Sequence, residues 1–309
     1  MTTRREALIL LAAAAASAMA PIGLSAGGGV PERRKVHLFS KHLQWLDYER
    51  MAETAAEIGF DGVDLTVRPG GHVLPENVAR DLPLAVGAIR GAGLKADRIT
   101  TAITDPGDPL TATILETASE LGIGIYRMGW LKYDRAQPIP QQLDAYRARF
   151  EQFAQMNERF VIHGAYQNHV GIGVGSPVWD AWLLVRDLDP RWLGIRYDVR
   201  HAMAEGIRSW ELGLQLVAPH IRSLDVKDFE WMKKGGEWTV ESVPLGAGAV
   251  RFPYYFERLD ELGIAADMTL HLEYPLGGAD KGKTELSIPE EQVLEAMQKD
   301  LEFLKKFNR

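Results

Sequence analysis

Four short stretches in the second half of the chain end in side chains that could do chemistry together: "AYQNH" (165–169), "IRYDVRH" (195–201), "LDVKD" (224–228) and "LHLEY" (270–274). Each begins as an apolar or β-branched run and closes on an oxygen-bearing residue: Gln167, Asp198, Asp225 and Glu273. One such residue reads as a helix cap or a solvated turn. Four in succession are different, because carboxylates that converge on one volume repel each other unless a cation neutralises them. An all-oxygen set suits a hard divalent ion, so these four are the expected ligands of Mg²⁺ or Mn²⁺. His169 and His201 stand beside the ligands, Lys227 is placed to stabilise a developing oxyanion or to bind a substrate hydroxyl, and Asp228 to orient that lysine.

The elements that would position these residues follow from the pattern of the chain. From Lys35 onward, short β-rich runs alternate with helical spacing. Strands are expected at 35–39, 62–67, 94–100, 125–130, 159–166, 193–198, 221–226 and 268–274. Helices are expected at 47–58, 75–91 (with Pro83 as a break), 109–121, 139–156, 177–186, 210–217, 252–262 and 289–304. Eight strand–helix pairs in one order imply an α/β fold with a parallel sheet, best closed as a single-domain (β/α)8 barrel over 35–309. No GxGxxG follows the first strand, which speaks against an open doubly wound sheet. "GIGVG" (171–175) reads as a turn rather than a phosphate loop. In such a barrel the chemistry sits at the C-terminal ends of the strands, where all four ligands fall.

The first 26 residues are expected to be a signal peptide. Arg4-Arg5 precedes an apolar run from Ala7 to Ala20, and small residues follow; the paired arginines are twin-arginine-like. Residues 27–34 read as a flexible lead-in. The expected location is therefore outside the cytoplasm, in the periplasm or beyond, with no stable membrane anchor. The chain has 309 residues and a net charge of −7. Its leader contributes +1 (Arg4 and Arg5 against Glu6), so the body carries −8. An acidic body argues against broad nucleic-acid binding. Cysteine is absent, which excludes disulfides, thiolate metal sites and cysteine nucleophiles.

From Phe160 to Gly278 these segments resemble the xylose-isomerase-like barrel superfamily of sugar isomerases and epimerases, which also holds inosose dehydratases and metal-dependent apurinic endonucleases. "QNH" stands where E-N-H or H-N-H is common, "DVRHA" resembles D-x-G-H-A, "LDVKD" resembles L-H-x-K-D, and "LHLEYPLGG" supplies the last ligand. The resemblance implies an isomerase or epimerase that moves a proton through a metal-stabilised enediolate of a small sugar or keto-sugar. Two positions depart from it: Gln167 replaces Glu or His, and Asp225 replaces His. Both keep oxygen ligands and shift the expected metal from zinc to Mg²⁺ or Mn²⁺. Glutamine cannot be a base, so Glu273 is the expected first proton-transfer group, and the second is His201, His169 or Lys227. The alternatives are a carbohydrate-binding barrel that has lost a base at Gln167, or a dehydratase or lyase acting on an oxidised sugar. Further substrate contacts are expected from Arg68, His72 and Trp231, with His42, Trp45 and Trp238 as weaker candidates. Export favours a neutral mono- or disaccharide derivative as the partner molecule, and the sequence leaves room for a homo-oligomer.

Overall fold

The computed structural model describes residues 33–308. The expected signal peptide (1–26) and most of the expected lead-in lie outside the described residues. The last two lead-in residues are anchored. Arg34 is buried and donates to the Ile264 carbonyl and to Asp260, and Arg33 pairs with Asp61.

Eight parallel strands close into one barrel: β1 (Val36–Phe39), β2 (Gly62–Val67), β3 (Lys95–Thr101), β4 (Ile125–Arg127), β5 (His163–Gln167), β6 (Leu193–Asp198), β7 (Ile221–Val226) and β10 (Met268–Leu270). Nearest neighbours in sequence are neighbours in space, and β10 closes the ring between β7 and β1. Every residue of β1, β2, β5, β6 and β10 is buried, as expected for parallel strands covered outside by helices and inside by their own side chains.

The helices of the outer ring begin and end where local chemistry dictates. Helix α1 (Tyr48–Ile58) starts at Asp47, whose carboxylate accepts from the Arg50 amide, and stops at Gly59 with φ of 95°. Helix α2 (Val78–Gly91) keeps Pro83 inside it. The expected break falls earlier instead, where Pro75–Asn77 forms a 3-10 turn. Helices α3 (Pro109–Glu120), α5 (Val178–Val185), α7 (Trp210–Val217), α8 (Phe252–Glu261) and α9 (Glu290–Lys305) fall within two residues of their expected bounds.

Three departures bear on the site. Helix α4 (Ile139–Phe160) runs through "RF", and the chain leaves it at Val161 in the left-handed conformation, so β5 begins only at His163. Helix α6 (Val199–Gly206) follows β6 without a loop and is capped by Asp198 itself. A two-stranded antiparallel hairpin, β8 (Asp228–Lys234) and β9 (Glu237–Val243), fills the segment after β7.

The interior of the barrel is ionic where branched aliphatic side chains usually dominate. Side chains alternate along a strand, so Arg196 shares the inward face of Asp198, and Asp64 that of Thr66 and Arg68. Arg196 is fully buried and pairs with Asp64 at 2.6 Å and Asp225 at 2.5 Å. Thr100 and Thr269 donate to the two oxygens of Asp64, at 2.9 and 3.1 Å. A buried charge of this kind is tolerated only when its partners are in place on every side.

Candidate active site

Above this ionic plug, the C-terminal ends of the strands enclose a small cavity, lined by Phe39, Lys41, Arg68, Arg127, Trp130, Gln167, His169, Lys227, His271 and Glu273. A wider depression around the 282–287 loop shares none of these residues.

Three of the four expected ligands meet directly beneath the cavity. The Gln167 amide nitrogen donates to Asp198 Oδ2 at 2.9 Å and to Asp225 Oδ2 at 2.6 Å. Asn168 clamps the same turn: its amide donates to the Asp198 carbonyl, and its oxygen accepts from the Asp198 amide. Lys227 Nζ lies 3.1 Å from Asp198 Oδ2 and 2.9 Å from Glu273 Oε2, so it bridges the third carboxylate pair. Glu273 Oε1 takes a second ammonium, Lys41 Nζ, at 3.0 Å. Glu273 itself lies three residues past the end of β10, on a rim segment rather than within the strand.

The protonation states follow from these contacts. Burial pushes the Asp198 carboxyl up, and Lys227 only partly offsets it. Burial acts the same way on Asp225 and Glu273, but their partners win. Arg196 and His271 hold Asp225 low, and Lys227 with Lys41 holds Glu273 well below the usual range. Burial alone would lower Lys227, yet Asp198 and Glu273 raise it, so it is firmly a cation.

The donor set does not fit a divalent ion. Gln167 turns its N–H groups, not its oxygen, towards the carboxylates. Asp225 is committed to Arg196 and lies 3.1 Å from His271. Lys227 bridges Asp198 and Glu273, the position a metal would need, and a 2+ ion there would meet an ammonium and a guanidinium. The one trio of His and Asp ligand atoms within 4.8 Å of one another, among the described residues, is His37, Asp97 and Asp267, a spacing that could hold a metal. It lies at the opposite, N-terminal end of the strands, with Arg98 3.1 Å from Asp97.

The histidines separate into different roles. His169 lines the cavity, its ring in tilted contact with Trp130 (4.5 Å) on one side and His201 (4.1 Å) on the other. Its Nδ1 donates to the Val170 carbonyl at 2.9 Å, which leaves the lone pair on Nε2. Burial, with Lys227 nearby, brings its pKa down to about 4, so the ring is neutral at neutral pH. His201 lies behind it, 1% exposed, and Arg200 donates to its Nδ1 at 2.8 Å.

Other expected contacts go elsewhere. Asp228 does not orient Lys227. Its two oxygens accept the amides of Phe229, Gly246, Gly248 and Val250, so it ties the base of the hairpin to the following loop. His72 is turned away from the cavity, with Nε2 3.2 Å from the Leu43 carbonyl. Trp231 sits on β8, edge-on to Phe229, and Trp238 on β9 is 67% exposed; neither lines the cavity. His42 spans the Ala279 carbonyl and the Leu272 amide as a structural bridge. Of Arg68, His72, Trp231, His42, Trp45 and Trp238, Arg68 alone lines the cavity. The "GIGVG" segment is a turn, with the Gly171 amide donating to Glu205. Residues the motifs did not point to are Lys41, Arg127, Trp130, Arg196 and His271. Alternation could have found two of them, since Arg196 and His271 lie two residues before Asp198 and Glu273.

Residues 52–307 match the family model for the xylose isomerase-like TIM barrel, and the chain belongs to that family. Among solved structures it is similar to D-psicose 3-epimerase from Clostridium cellulolyticum H10, with 12% identity, a TM-score of 0.66, and coverage of 89% of this chain and 99% of that one. It is similar to 3-keto-D-glucoside 4-epimerase from E. coli, with 15% identity, a TM-score of 0.60, and coverage of 89% and 100%. A probable 3-DHS dehydratase from Bacillus anthracis shares 16% identity, with a TM-score of 0.62 and coverage of 87% and 98%. At these identities the likeness establishes the fold. No curated protein sequence matches the chain.

Proposed function

We propose that the protein is an isomerase or epimerase that moves a proton next to the carbonyl of a sugar-derived substrate, with its own cations in the place of a metal. The observation that carries this reading is the Lys227 ammonium bridging Asp198 and Glu273 at the cavity floor. The epimerases among the structural neighbours support it. Proton abstraction breaks the C–H bond and sends its electrons into an enediolate. The oxyanion that forms needs a fixed positive charge in a site shielded from water, and Lys227 supplies one. Glu273 is the proton acceptor on one side of the cavity. Of the three candidates for the second group, Lys227 is held as a cation and His201 is behind the wall. His169, neutral with Nε2 free, remains. The Mg²⁺ or Mn²⁺ expected from the sequence has no part in this reading.

The test is solvent exchange. Chelator-treated protein would be incubated in D₂O with ketohexoses, 3-keto-glucosides and keto acids, and loss of the C–H signal next to the carbonyl followed by NMR. Exchange that Glu273→Gln abolishes supports the proposal. A folded protein that exchanges no member of the panel contradicts it and favours a carbohydrate-binding barrel. That second reading has its own observation: Gln167 stands where a base would be needed and donates to two carboxylates. The leader also supports a proposal of export, which cell fractionation and sequencing of the mature N-terminus would check.

A further inference from the structure

The charges around the cavity do not cancel. The upper interior holds five cations, Lys41, Arg68, Arg127, Arg196 and Lys227, against four carboxylates. Every carboxylate has its cation: Asp64 and Asp225 share Arg196, Asp198 has Lys227, and Glu273 has Lys227 and Lys41. Arg68 and Arg127 are left over, and among the described residues neither makes an ion pair.

Arg127 is 3% exposed. One end of its guanidinium donates to the Thr101 carbonyl at 2.9 Å and another weakly to Gln167 Oε1 at 3.3 Å. Its Nε–H is buried with no acceptor. Its face lies over Trp130 at 4.4 Å, which fixes the plane of the fork. Burial, and then Arg196 and Arg68 close by, pull its pKa down to about 9, a sign that the cation lacks its counter-charge. Arg68 packs over Phe39 at 5.5 Å, and its guanidinium makes no hydrogen bond to the described residues. A buried guanidinium such as that of Arg127 is costly without a counter-anion, and the partly exposed Arg68 beside it adds repulsion. The rigid fork of arginine matches a carboxylate or phosphate, and an aromatic plate behind it adds pre-organisation.

We propose that the cavity takes a sugar-derived ligand carrying an oxyanion head group, held by Arg68 and Arg127, with the rest of the ligand directed to Lys227 and Glu273. This departs from the neutral sugar that the leader suggested. It rests on the proposed site but not on the proposed reaction, because it concerns binding alone.

The experiment is calorimetric titration at low salt with D-glucuronate, D-glucose 6-phosphate and D-glucose. The proteins are wild type, Arg127→Gln and Arg68→Gln; the half-exposed Arg68 keeps the test alive should the buried Arg127 variant not fold. An anion is expected to bind roughly tenfold tighter than glucose or better, and the Arg68 variant to lose most of that preference. Tighter binding of the phosphate than of the carboxylate would uphold the proposal and name the head group. Equal affinity for glucose and the anions, no binding of either anion to folded protein, or a preference untouched in both variants would overturn it. The two readings fail separately. Anion binding without C–H exchange sinks the reaction and leaves this inference. Exchange of a neutral keto-sugar with no anion preference does the reverse.

Discussion

The two ends of the barrel carry ion clusters of similar size and opposite character. At the N-terminal end, Asp97 takes His37 at 3.0 Å and Arg98 at 3.1 Å. Asp267 takes the Lys35 amide at 2.8 Å, Lys95 at 3.5 Å and Arg98 at 3.6 Å. Here carboxylates and cations meet at the edge of solvent, and Asp97 is 38% exposed. At the C-terminal end Asp64, Asp198 and Asp225 are sealed from water, Glu273 is partly exposed at the cavity, all four are paired with the chain's own cations, and two guanidiniums remain unmatched. The first pattern is what holds strand ends together. The second leaves positive charge in a cavity, where a bound anion would balance it.

The largest effect that separates the two ends should be kinetic. Glu273→Gln should lower proton exchange by about 10²–10⁴-fold with the midpoint of thermal unfolding little changed. Asp97→Asn should leave the rate alone, as rates measured on matched folded samples would show. Next comes the ionic plug. Arg196→Met leaves Asp64 and Asp225 buried without a counter-charge, and urea titration should show a loss of about 3–5 kcal/mol, or no soluble protein at all.

A smaller effect lies in acid. Burial brings His163 down to about 4, with only the Arg191 carbonyl to favour its charged form. The folded state holds this ring neutral while the unfolded chain takes up a proton below about 6.5. Its contribution is therefore present above pH 6.5 and lost as pH falls towards 4, by up to about 3 kcal/mol. Asp300 works the other way. Burial raises it to about 6 against the hydrogen bond from Tyr274. Its contribution is present below about 3.8 and lost as pH rises through 6. Urea midpoints of His163→Gln and Asp300→Asn across pH 4–7 should show the two slopes change in opposite directions. The smallest effect should be at the exposed pair: Asp97→Asn is expected to cost no more than about 1 kcal/mol.

The barrel was legible because its signals are local: eight apolar runs, each followed by helical spacing and a stop. The meeting of Gln167, Asp198 and Asp225 was legible because strand ends in such a barrel share one rim. Their state was not. "IRYD" reads as an ordinary strand, and nothing local says that Arg196 reaches across the barrel to Asp64, 132 positions earlier in the chain. Lys227 looked like a helper beside a metal because its two carboxylates, Asp198 and Glu273, come from other strands. Asp228 misled for a simpler reason. Adjacency to Lys227 suggested a pair, whereas alternation sends neighbouring side chains to opposite faces. Arg127 lies at the end of a strand only three residues long, where hydrophobic pattern carries least information.

The central claim is that Lys227, Arg196 and Gln167 stand where a divalent ion would have to be. The most direct measurement is metal content by mass spectrometry of the purified protein, prepared without chelator and then soaked in Mn²⁺, with Asp198→Ala alongside. The account predicts far less than one equivalent of Mg, Mn, Fe, Co or Zn in both proteins. About one equivalent in the wild type, lost in Asp198→Ala, would contradict it.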